Sequence, residues 1–160
     1  MTVDRLQPSM NRREPRAVRL ARSVHLNTLL LANRNLDEMD VICREFDLTH
    51  AQYIALWVLC LADDPDAGLP VGAVADGLLN RAADTTRLID RLVRAGLTER
   101  LPNPADRRGV LVRATTLGMQ RFEAVTARLQ EYHSGQWSNL EPAEIDELNR
   151  LLIKALWSPK

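Results

Sequence analysis

Eight arginines and no lysine lie between Arg81 and Arg113, accompanied by only four acids, Asp84, Asp90, Glu99 and Asp106. Eight against four leaves this window at +4, although the 160-residue chain carries a net charge of zero. A second basic stretch, with six arginines against Asp4 and Glu14, occupies the first 22 residues. Residues 23–80 reverse the sign, with nine acids and two arginines. Arginine is permanently charged, and its planar donor fork matches a phosphate or a guanine edge. Binding to a polyanion answers to this local field rather than to the global sum. Nucleic-acid binding is the chemistry such a patch would perform. A solvated charged face is the other reading of the same cluster.

Catalysis and metal chemistry find less support. The sequence holds no GxSxG elbow, phosphate-binding glycine loop, dinucleotide fingerprint or HExxH pair, and its charged residues suggest no acid–base pair, so no enzyme is expected. His25, His50 and His133 stand apart, so neither a metal nor another cofactor is expected. Cys43 and Cys60 lack CxxC or Cys/His spacing, which argues against a disulfide framework or a zinc finger and suits a reducing cytoplasm. An apolar share of 46% is enough for a buried core. No apolar stretch follows the basic start as a signal sequence would require, and no apolar run is long enough to span a bilayer. A cytoplasmic protein without a membrane partner is predicted, with residues 1–15 as a flexible basic N-terminus and 16–160 as a single domain.

The elements that must position the arginines can be read from punctuation and periodicity. No glycine or proline occurs between Pro15 and Pro65, too long a stretch for one ordinary helix. Thr49 and Gln52 supply a boundary as a capping box, with Leu48 and Tyr53 as its hydrophobic staple. Helices are predicted over residues 16–46 and 50–62, the second stopped by Asp63, Asp64 and Pro65. Pro70 would open a short helix reaching Leu79. In the next helix, residues 82–95, Thr85, Leu88, Ile89 and Leu92 recur at i, i+3, i+4 and i+7 as one buried stripe, and Gly96 is the C-cap. The opposite face gathers Asp84, Thr86, Arg87, Asp90, Arg91 and Arg94, which fits a groove-reading helix and equally any exposed helix. Residues 97–101 and 110–114 read as strands joined by a loop with Arg107 and Arg108 at its tip. Helices resume over 115–136 and from the Pro142 region to Leu156. Helix, helix, strand, basic loop, strand is the order of a winged helix-turn-helix, so a mainly α fold with a small β-wing is predicted.

Three segments carry a more specific likeness: LTHAQ at 48–52, TRLIDRLVRAGLTER at 86–100 and DRRGVLVRATTLG at 106–118. In this order and spacing the chain resembles the MarR family of bacterial transcription regulators. The resemblance implies a two-fold homodimer on double-stranded DNA, with residues 16–46 and 115–156 as dimerisation helices and 49–114 as the winged lobe. It places the recognition helix in the major groove and the wing in the flanking minor groove, on a pseudo-palindromic operator. The family's Asp-x-Arg wing motif is matched by Asp106 and Arg108. Asp106 would hold Arg108 extended by a charge-assisted hydrogen bond, and a narrow groove focuses the negative potential that attracts it. Arg107 would contact phosphate. Thr86 and Arg87 lie near the helix N-terminus, where side chains reach base edges, and Arg87 would read guanine in bidentate fashion. Asp84 would accept from a cytosine amino group or neutralise an arginine. Arg91 and Arg94 suit phosphates, and Asp90 suits a structural role, tying down Arg91, Arg94 or the wing. Two positions depart from the family: Ala82 and Ala83 replace the usual Ser or Thr cap, and Ala114 replaces a leucine.

Family members commonly bind small aromatic effectors between the dimerisation helices and the winged lobe. His25, Met39, Tyr53, Trp57 and Cys60 would line such a cleft, and binding there would relieve repression. The last three are also spaced i, i+4 and i+7, as ordinary core residues are. Some relatives sense peroxides through a cysteine on the first helix, but the VICREF segment around Cys43 does not reproduce their motif. A redox-sensing regulator and a winged helix turned to a protein partner stand as the alternative functions.

Overall fold

The computed structural model describes residues 14–78, 85–106 and 109–157. Its elements are α1 (Arg16–Arg44), α2 (His50–Cys60), β1 (Leu69–Pro70), α3 (Val71–Gly77), α4 (Thr85–Arg94), β2 (Thr98–Pro102), β3 (Val110–Ala114), α5 (Thr116–Gln136) and α6 (Pro142–Trp157). The fold is mostly helical with one small antiparallel sheet, as predicted. The chain divides into two compact units, Met1–His50 and Ala51–Lys160.

Helix α1 dominates the first unit. Its end is set by Asp47, whose φ is 59°. The Leu48 N–H donates to the Cys43 carbonyl at 3.1 Å, and the Asp47 N–H to that of Arg44 at 3.2 Å. These bonds form a Schellman cap, with aspartate in the left-handed position that glycine more often fills. The regular α-helix runs to Arg44, and Glu45 and Phe46 tighten the last turn by donating to the Ile42 and Cys43 carbonyls before the cap. Asp40 Oδ1 then accepts from the His50 N–H at 3.1 Å. Only Ile42 and Cys43 of α1 are buried, while Val18, Leu20, Val24, Leu29 and Val41 stand about half exposed.

In the second unit α2 buries Tyr53, Ile54, Ala55, Leu56 and Leu59. The sheet has the order β1-β3-β2, and β1 pairs Leu69 with Val112 and Pro70 with Leu111. Pro70 closes β1 and precedes α3 with φ −57° and ψ 145°, so it caps that helix instead of occupying its first turn. Leu78 leaves α3 in extended conformation. The stripe expected on α4 is buried throughout: Thr85, Leu88, Ile89 and Leu92. The start expected at residues 82–84 lies outside the described residues.

Helix α4 ends in a second Schellman cap. Gly96 has φ 70°, and the N–H groups of Leu97 and Gly96 each return at 2.9 Å, to the carbonyls of Leu92 and Val93. Leu97 belongs to this cap, so β2 begins at Thr98, one residue later than the pattern suggests. The same turn receives α5. Thr115 donates its N–H to the Leu97 carbonyl at 3.0 Å and its hydroxyl to the Gly96 carbonyl at 2.7 Å. The Thr115 oxygen also accepts from the Gly118 N–H at 3.1 Å, capping α5. Gly118 packs so closely on the Leu97 carbonyl that a Cβ would overlap it.

Helix α6 starts with Pro142 at its first position, where its missing N–H costs nothing. The Glu144 carboxylate accepts from the Glu141 N–H at 2.9 Å. No α6 side chain is buried, and Leu156 and Trp157 are 74% and 81% exposed. Among the described residues, no helix is long and apolar enough to cross a membrane.

Candidate nucleic-acid interface

Burying the stripe of α4 turns its other face outward. Thr86, Arg87, Arg91 and Arg94 are exposed there, and Asp90 is half-exposed among them. A ten-residue helix with three arginines on one face presents its charge without desolvating it, as a phosphate-binding surface requires. Arg94 bends back, its Nε donating to the Asp90 carbonyl oxygen at 3.2 Å. The Asp90 carboxylate turns to the next element, and its Oδ1 accepts from Arg100 Nη2 on β2 at 2.6 Å. Of the three partners considered for Asp90, the structure selects the wing strand.

The hairpin β2–β3 is fastened from several sides. Glu99 and Arg113 face each other across the strands. Arg113 donates from Nε and Nη2 to Glu99 Oε1 at 3.1 and 2.8 Å, and from Nη1 to the Asp66 carbonyl at 3.0 Å. One guanidinium thus holds both wing strands and the loop before β1. Towards the tip, the Asn103 side chain accepts from the Ala105 N–H at 2.9 Å. The Gly109 N–H donates to the Asp106 carbonyl at 2.8 Å, and the Asn103 N–H to that of Gly109 at 3.3 Å. Asp106 is exposed. Asp84, Arg107 and Arg108 lie outside the described residues.

The residues considered for an effector fall in different surroundings. Tyr53 is buried, its ring stacked on Phe122 at a centroid distance of 5.9 Å, with its hydroxyl 3.2 Å from that of Thr126. Trp57, one turn on, is 44% exposed. Cys60 is half-buried, and burial reinforced by Glu123 pushes its thiol up to about 11. On α1, His25 is exposed and Met39 half-buried. Cys43 is buried, and burial with the charge of Asp40 raises it to about 11. Both cysteines thus keep their protons at neutral pH, the opposite of what a thiolate sensor needs. Among the described residues, no cluster of three His, Cys, Asp or Glu side chains could hold a metal.

Arg100, Glu99 and Arg113 were not singled out from the sequence. Strand alternation shows that Glu99 and Arg100 point to opposite sides, but not which element each would meet.

Two antiparallel strands follow α4 as a wing follows a recognition helix, and with α2 and α3 ahead of them the lobe is a winged helix-turn-helix. A family model described as the MarR family matches residues 46–109. The Multiple antibiotic resistance protein MarR of Escherichia coli (strain K12) is 46% identical over 72 residues, 44% of this chain and 50% of that protein. The matched stretch thus spans half the length of that curated relative. The HTH-type transcriptional repressor IacR of Pseudomonas putida is 24% identical over 119 residues, 74% of this chain and 69% of that protein. A mutant of E. coli MarR, solved in complex with operator DNA, aligns with a TM-score of 0.72 and 31% identity over 88% of this chain and 95% of that one. The chain belongs to the MarR family.

Proposed function

We propose that this chain is a sequence-specific DNA-binding regulator that acts as a homodimer on a pseudo-palindromic operator. In this reading Thr86 and Arg87 of α4 meet base edges in the major groove, with Asp84 at its start. Arg91 and Arg94 meet phosphates, and Asp106, Arg107 and Arg108 carry the wing into the minor groove. The observation that carries the reading is the outward face of α4, where three arginines stand opposite a fully buried stripe beside a braced hairpin. The operator complex of the 31% identical relative supports it. Repression is the favoured sign, in keeping with the name of IacR. Release by a small aromatic effector belongs to the same reading.

Dimerisation is supported by the apolar side chains that α1 and α6 leave exposed, which a second copy would cover. The test is selection of bound duplexes from a random library by the purified full-length chain at near-physiological salt. An inverted repeat with half-sites about one helical turn apart is the expected product. Recovery of no sequence above background would overturn the reading.

A further inference from the structure

Arg100 and Thr98 lie on the same side of β2, opposite Val112 and Ala114 of β3 in the strand register. Thr98, Val112 and Ala114 are buried, so Arg100 continues the inward row to the rim of the lobe. From that rim its guanidinium meets the Asp90 carboxylate of α4 at 2.6 Å. Asp90 stands three residues after Arg87 and four before Arg94, the spacings at which a helical aspartate captures an arginine of its own helix. Here the short contact is made to the other element. The two side chains are 41% and 46% exposed, and an ion pair so wet adds little to stability. Its effect is geometric: it joins the arginine-bearing helix to the strand that leads into the wing.

We propose that Arg100 is a positioning residue for DNA recognition, acting through Asp90. The pair fixes α4 against the β2–β3 hairpin, so that helix and wing meet adjacent grooves as one preorganised body. This inference deepens the DNA-binding reading and rests on it.

The test is a double-mutant cycle in the full-length chain: wild type, Asp90→Asn, Arg100→Gln and the double variant. Each is titrated with the selected duplex and with an unrelated duplex of equal length over a salt series, and each protein is melted. Each single variant should bind the selected duplex about threefold more weakly, and the double variant no more weakly than either. Binding to the unrelated duplex, the salt slope and the melting temperature should stay near wild type, and Arg100→Lys should recover most of the loss. Asp90→Asn is decisive, because removing a negative charge beside DNA would by electrostatics alone tighten binding.

Tighter or unchanged binding by Asp90→Asn, or additive losses, would overturn the proposal. So would a salt slope lower by about one in Arg100→Gln, the mark of a direct phosphate ligand. Variants that lose melting temperature together with affinity would make the pair merely structural and overturn it as well. A wild-type chain that selects no duplex would overturn the DNA-binding reading and this inference together. Wild-type binding with any of the contrary variant patterns would overturn the inference alone.

Discussion

The α-carbon of Gly118 lies so close to the Leu97 carbonyl that no side chain fits between them. That contact seats the first turn of α5 on the cap of α4, in the company of the Thr115 bonds to Gly96 and Leu97. Within a helix, alanine is ordinarily favoured over glycine by about 1 kcal/mol. Here the sign should reverse, since the obstacle is backbone that cannot rotate away. Gly118→Ala is expected to lower stability by about 2–3 kcal/mol, read as a fall in melting temperature. A more stable variant would show that the start of α5 can shift freely.

Arg108→Ala addresses the wing. Affinity for the selected duplex should fall by about 1–3 kcal/mol, while melting temperature and oligomeric state stay at wild type. Equal affinity in the variant and the wild type would remove the wing from the interface.

Removal of residues 141–160 addresses the dimer. The full chain should run as a dimer in light scattering, and the truncated chain as a monomer or aggregate, because no α6 side chain is fully buried within its own chain. A soluble dimer after truncation would place the interface elsewhere.

The cysteines make a prediction about pH. With both thiols raised to about 11 from 9.0, alkylation near neutral pH should be about a hundredfold slower than for a free thiol. Folding holds these protons on. Their contribution to stability is therefore complete below the ordinary value of 9.0 and is lost as pH rises through about 11. Cys43→Ala should soften the alkaline fall in melting temperature. Rapid labelling of either cysteine in the folded chain at about pH 7 would contradict the burial that raises them.

The clearest element in the sequence was α4, because one apolar stripe at helical spacing leaves a single face to bury and a single face to expose. Gly96 marked its end for the same reason it forms the cap, a left-handed backbone. The end of α1 was hidden, since Asp47 does there what glycine does at 96. β1 was hidden too: two residues show no alternation, and the strand exists only because β3 lies beside it. Asp90 was legible in outline, as a residue that ties something down. Its partner was not, because Arg100 comes within reach only after the chain reverses at Gly96. The bond between Arg113 and the Asp66 carbonyl spans 47 positions, and local pattern does not reach so far. Asp84 was placed by its face of the predicted helix, and Arg107 and Arg108 by the wing motif.

The two-residue strand β1 has a consequence for how copies of this chain can associate. An unpaired sheet edge is a template on which a neighbouring chain can add a strand. Here one edge is almost too short to copy and closes on Pro70, which has no N–H to offer. The other edge, β2, carries charge at Glu99 and Arg100 and stops at Pro102. Strand-by-strand growth into fibrils is discouraged on both sides. For the dimer proposed above, this leaves the helices, whose surfaces can be matched once and then are used up.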